Sequence, residues 1–127
     1  MISGAVTADG EAVIRLEILG PDGERRGIEA VLDTGFNGSL TLPAHMTAAL
    51  ELPLVGERQA TLADGSQVVL EMHLAGILWH EGREHEVLAL RADGGPLIGM
   101  ELLYGNRVVL NVVENGEVVI DALPENA

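Results

Sequence analysis

The 127-residue chain contains no cysteine. Without thiols it has no disulfide framework, no thiolate nucleophile and no thiolate metal site, which suits a reducing compartment. Aromatic residues are nearly absent too, Phe36, Trp79 and Tyr104 being the full set. That scarcity argues against base stacking as a binding mode and leaves the core to Val, Leu and Ile. Positive charge is also sparse, with seven Lys plus Arg against twenty Asp plus Glu, a formal net charge of −13 and a pI near 4.4. Such a field repels phosphate backbones and anionic lipid, so nucleic acid and membrane surfaces are not expected partners and cationic or neutral ones fit better. No run approaches the ~18 uninterrupted apolar residues of a membrane span. Met1-Ile2-Ser3-Gly4 lacks both a basic n-region and a long apolar h-region. The expectation is a soluble, cytoplasmic protein.

What is present is enough apolar material, 47% of residues, to fill one core in one domain spanning residues 1–127. Segments rich in β-branched residues predict strands over Met1 to Thr7, Glu11 to Leu19, Gly27 to Leu32, Ser39 to Leu42, Gln67 to Trp79, Glu86 to Leu90, Arg107 to Val113 and Glu117 to Ala122. Turn signals separate them at Asp9-Gly10, Pro21-Asp22-Gly23, Asp64-Gly65, Glu81-Gly82, Asp93-Gly94-Gly95 and Asn115-Gly116. Helical spacing is confined to Pro43 to Leu52 and Gly99 to Tyr104. The fold class is therefore all-β with one or two short helices. Two units of an apolar strand followed by glycine, around Asp33 and around Gly99, faintly suggest an internal duplication. The polar end Pro124-Glu125-Asn126-Ala127 is expected to be mobile.

One tripeptide stands out chemically. In Val31-Leu32-Asp33-Thr34-Gly35 an acidic residue closes an apolar strand, and the Thr-Gly pair supplies a sharp turn. The carboxylate is thereby placed where sheet meets cleft. Read alone, the tripeptide is an Asx-type turn ending a strand.

Three segments together change that reading. Val31-Leu32-Asp33-Thr34-Gly35 continues into Phe36-Asn37-Gly38-Ser39-Leu40-Thr41-Leu42-Pro43; Ala60-Thr61-Leu62-Ala63-Asp64-Gly65-Ser66 follows; Pro96-Leu97-Ile98-Gly99-Met100-Glu101-Leu102-Leu103 completes the set. In this order and spacing the chain resembles the retropepsin-like aspartic proteases in their bacterial single-lobe form, over nearly its whole length. The resemblance implies a closed β-barrel lobe with a flap hairpin, acting as a homodimer on extended peptide without a cofactor or metal. It implies that Asp33 is the catalytic aspartate, Gly35 the turn that presents it and Thr34 the hydroxyl that bonds across the two-fold axis. Phe36, Asn37 and Gly38 would meet substrate from the loop, and Ala63, Asp64, Gly65 and Ser66 from the flap tip. Leu97 and Ile98 would pack under the loop. The terminal strands, Met1 to Thr7 and Glu117 to Ala122, would help build the dimer interface.

The chemistry asks for the dimer independently. The chain has one such motif, and two carboxylates about 3 Å apart share a proton because both cannot ionise cheaply. One then acts as base toward a water and the other as acid toward the carbonyl oxygen.

Some positions differ from the retroviral pattern. Phe36 stands where many relatives carry Ala or Ser, and it offers the aspartate desolvation rather than a hydroxyl, so activity is expected to extend to weakly acidic or near-neutral pH. Asn37 and Met100 occupy places that hold an ion pair in viral enzymes. His80-Glu81-Gly82-Arg83-Glu84-His85 has its histidines five apart, whereas one helical face needs four, so it reads as a solvated hairpin tip. His45 and His73 read as a helix-surface and a strand residue. Asp93-Gly94-Gly95 lacks the alternating oxygen ligands of a calcium loop and reads as a turn.

Two functional classes follow. The first is an aspartic endopeptidase; the second is a dimeric peptide-binding module that keeps the fold without turnover. A third form is an enzyme gated by a partner or by a loose dimer. Retention of Asp33, Thr34 and Gly35 together favours turnover, because a binding module needs no paired acids, whose close approach costs stability.

Overall fold

Alternation of side chains along the chain sets up the sheet in the computed structural model, which describes residues 1–124. The expectation for the chain end falls, beyond Pro124, outside the described residues. In order, the elements are β1 (Ile2–Val6), β2 (Ala12–Leu19), β3 (Arg25–Leu32), β4 (Leu40–Leu42), α1 (Ala44–Ala49), β5 (Leu54–Thr61) and β6 (Gln67–Leu78). A 3-10 turn at His80–Gly82 leads into β7 (Glu84–Arg91), β8 (Leu97–Ile98), α2 (Met100–Leu103), β9 (Asn106–Leu110) and β10 (Glu117–Ala122). On β2, Ile14, Leu16 and Ile18 face inward while Arg15 faces solvent; on β3, Ile28 and Ala30 do the same opposite Glu29. This is the two-residue period of a sheet with one buried face.

The sheet closes on itself. Its strand order is β5-β6-β7-β4-β8-β3-β2-β1-β10-β9, with β6 also paired to β2. That extra pairing turns β6, β7, β4, β8, β3 and β2 into a ring, leaving β5 at one free edge and β9 at the other. Most pairs are antiparallel, but β3 runs parallel to β8 and β4 parallel to β7. The core is aliphatic as composition requires: Ile14, Leu16, Ile18, Leu40, Leu42 and Ile98 are among its fully buried side chains. Burying each stabilises the fold by about 1.5–3 kcal/mol before entropy is counted. Trp79 joins this core, whereas Tyr104 is exposed.

The helices occupy the predicted stretches in shorter form. Pro43 stands just ahead of α1 in extended conformation, and its carbonyl accepts the amides of Met46 and Thr47. One strand was not anticipated over its length. Only Ala60-Thr61 of β5 belonged to an expected hairpin, yet the strand begins at Leu54 and pairs with β6 from Leu54↔His73 to Thr61↔Gln67. Gly56-Glu57-Arg58-Gln59 carries no apolar alternation because this edge strand has little core to face. The strand expected through Val113 stops at Leu110, where the Asn111–Gly116 segment folds into a turn with Asn115 in the left-handed region. Among the described residues, no helix is long and apolar enough to cross a membrane.

Candidate active site

Asp33 follows the last residue of β3. Because β3 and β8 run parallel with Leu32 opposite Ile98, the Asp33 amide donates to the Ile98 carbonyl at 2.8 Å. The two apolar units of the sequence therefore lie side by side. The half-buried Asp33 carboxylate accepts the Gly35 amide on Oδ1 at 2.9 Å, and its own carbonyl accepts the Phe36 amide at 3.2 Å. Oδ2 has no hydrogen-bond partner among the described residues. Thr34 and Asn37 are exposed at the rim.

The rest of the loop is held from below by α2 and the residues around it. Gly99, Met100 and Glu101 donate their amides to the carbonyls of Ser39, Phe36 and Gly38 at 3.1, 2.8 and 3.2 Å, and the Ser39 hydroxyl donates to Glu101 Oε1 at 3.1 Å. Phe36 lies over two glycines. A Cβ built on Gly38 would come within 2.5 Å of the Phe36 ring, and one on Gly99 would meet that ring and the Gly38 carbonyl oxygen at 2.5 and 2.2 Å. Absence of side chains at Gly38 and Gly99 is thus what admits the aromatic ring.

Across from this loop rises the β5–β6 hairpin. Its tip is an Asx turn: Asp64 Oδ1 accepts the Ser66 amide at 2.9 Å and the Ser66 hydroxyl at 2.6 Å, while Gly65 takes a φ of +86°. These bonds, the hydroxyl's foremost, hold the Asp64 carboxyl below its ordinary value of 3.8. Between hairpin and loop lies a cleft of about 240 Å³. Gly35, Phe36, Asn37 and Gly38 form one wall, Arg58, Gln59, Ala60 and Thr61 the other, and the buried Leu90 of β7 also contributes.

The sequence-predicted residues divide accordingly. Gly35, Phe36, Asn37 and Gly38 border the cleft, whereas Asp33 and Thr34 precede that wall and do not line it; Leu97 and Ile98 lie beneath as the strand paired to the one that ends at Asp33; Ala63, Asp64, Gly65 and Ser66 form the hairpin tip and do not line the cleft. The second wall, Arg58 to Thr61 with Leu90, was not named from sequence. Its signal was available in the hairpin itself, since an arm as long as Gln67 to Trp79 needs a partner arm leading back from Asp64-Gly65.

The histidines lie elsewhere. His80 and His85 border a second depression, where the His80 ring bonds Asn106 Oδ1. His45 is exposed on α1, and His73 is buried on β6 with Nδ1–H donating to the Leu52 carbonyl at 2.9 Å. Among the described residues, ligand atoms close enough to share a metal ion occur at Asp22, Glu24 and Glu51, all exposed.

No protein-family model and no curated protein matches the chain. Among solved structures it superposes on the crystal structure of a retropepsin-like aspartic protease from Rickettsia conorii, with a TM-score of 0.60 over 94% of this chain and 88% of that one, at 17% identity. The fold is retropepsin-like. Superposition at this identity speaks for the architecture: a closed β lobe with a hairpin facing an Asp-Thr-Gly loop.

Proposed function

We propose that this chain is an aspartic endopeptidase that works as a homodimer on extended peptide. The observation that carries the reading is Asp33 itself, fixed at a strand end within a retropepsin-like lobe, with one carboxylate oxygen unpartnered and with the cleft wall beginning two residues on at Gly35. One lobe supplies one such acid. Asp33 of the partner subunit supplies the second, and the two share a proton because close approach disfavours double ionisation. The ionised member takes a proton from a water held between them as that water attacks the peptide carbonyl, and the protonated member donates to the developing oxyanion. Thr34, exposed and without a hydrogen bond within the described residues, is free to bond across the axis.

Substrate would lie extended between loop and hairpin, held by main-chain hydrogen bonds with water shut out. The dimer contact is assigned to the β9 side. Both edges of β1 and of β10 are paired within the chain, whereas β9 ends the sheet. Beside β9 stand Val112 and Val113, 68% and 66% exposed.

The test is cleavage of an unstructured protein such as casein from about pH 3 to about pH 8. Wild type should cut and Asp33→Asn should not. A dimer, verified by sedimentation, that cuts nothing across that range would instead mark a peptide-binding module.

A further inference from the structure

All seven full cationic side chains of this protein are arginines, since the chain has no lysine. Three of them, Arg15, Arg83 and Arg91, stand within 4.0 Å of the carboxylates of Glu17, Glu81 and Glu71. Arg58 has no carboxylate at that distance among the described residues. Its position on β5 is set by register: Arg58 pairs with Leu70, between Gly56↔Met72 and Ala60↔Val68. Those flanking residues are half-buried, while Arg58 itself is exposed. With Gln59, Ala60 and Thr61 it forms the hairpin wall of the cleft that lies across from the Asp33 loop.

The composition of that cleft is the second observation. The protein has twenty carboxylate side chains, yet among the described residues none lines the space between loop and hairpin. Its polar groups are the Arg58 guanidinium, the Asn37 and Gln59 amides and the Thr61 hydroxyl. A planar guanidinium without a partner matches a carboxylate in charge and in paired hydrogen-bond geometry, whereas an arginine or lysine of a ligand would meet like charge there. The −13 of the whole chain opposes an anionic ligand only at long range, and salt screens it over about 8 Å at physiological ionic strength. At contact distance Arg58 prevails.

We propose that this cleft selects peptides carrying an Asp or Glu, with Arg58 pairing the acidic side chain and thereby setting specificity. The catalytic part of this inference rests on the peptidase reading above; the recognition part does not.

The test uses an unstructured peptide of about ten Ala, Leu and Gln residues with a single Glu moved along it, each paired with its Gln counterpart, in about 0.15 M salt. Binding to Asp33→Asn is measured by calorimetry, and kcat/KM is measured for wild type. At one position the Glu peptide should bind, and be cut, about 10-fold better than its Gln counterpart. Arg58→Gln, at an exposed site and with an unchanged melting temperature, should erase that difference. Arg58→Glu should transfer the preference to an Arg-containing peptide. Equal behaviour of acid and amide at every position, a preference that survives Arg58→Gln, or no binding by either peptide overturns the inference. Arg58-dependent binding without cleavage by wild type rejects the peptidase and leaves acidic-peptide recognition standing. Cleavage indifferent to the acid does the reverse.

Discussion

Phe36 and the two glycines beneath it behave as one packing unit, and the unit makes a sharp prediction. Gly38→Ala would drive a methyl group into the Phe36 ring, a side chain that can move or be removed. It should cost about 1–3 kcal/mol, and much of that should return in Gly38→Ala/Phe36→Ala. Gly99→Ala meets the carbonyl oxygens of Gly38 and Phe36 as well, and those are pinned by the amides of Glu101 and Met100. Its loss should persist without Phe36. Urea midpoints of wild type, Phe36→Ala, the two glycine variants and the two double variants decide the matter. The hairpin tip answers to pH instead. Asp64 is bonded as the anion by Ser66, so its folded value lies below 3.8 and its contribution is present above the unfolded value, then lost as pH falls through the folded one. In an NMR titration the Ser66 amide should move with a midpoint below 3.8, and Ser66→Ala should raise it.

Among the elements, β8 is short but critical. Ile98 is fully buried, and its carbonyl receives the Asp33 amide. Ile98→Ala should cost about 2–5 kcal/mol of stability and loosen Asp33 with it, so urea midpoint and kcat should fall together. How much of this could be read from sequence follows from what each element packs against. Strands β2, β3, β6 and β10 were legible because each lays one face on the core and so alternates. Asp33 was legible because its motif is local: strand, acid, turn. The pairing of Leu32 with Ile98 joins residues 66 positions apart, and nothing local encodes it. Strand β5 escaped over most of its length because an edge strand around Glu57-Arg58-Gln59 has no apolar period, and the second wall of the cleft escaped with it. The pairing of the terminal strands β1 and β10 with each other is likewise a long-range contact that nothing local encodes.

At the scale of the molecule, charge and assembly pull against each other. A dimer of this chain gathers twice −13, or −26. Like charge of that size opposes association, and added salt screens it, with a Debye length that falls from about 30 Å at 0.01 M to about 3 Å at 1 M. The proposed β9 contact is aliphatic, so salt removes repulsion there without weakening attraction. Raising salt from about 0.02 M to about 0.5 M should therefore tighten the dimer several-fold in sedimentation equilibrium, and activity at dilute protein should rise with the dimer fraction. Val112→Asp, at a site exposed in the single chain, should leave the melting temperature of the monomer unchanged. It should nevertheless abolish both the dimer and cleavage at every salt concentration. A dimer that dissociates as salt rises would mean that ion pairs hold it, and the apolar assignment of the interface to β9 would fall.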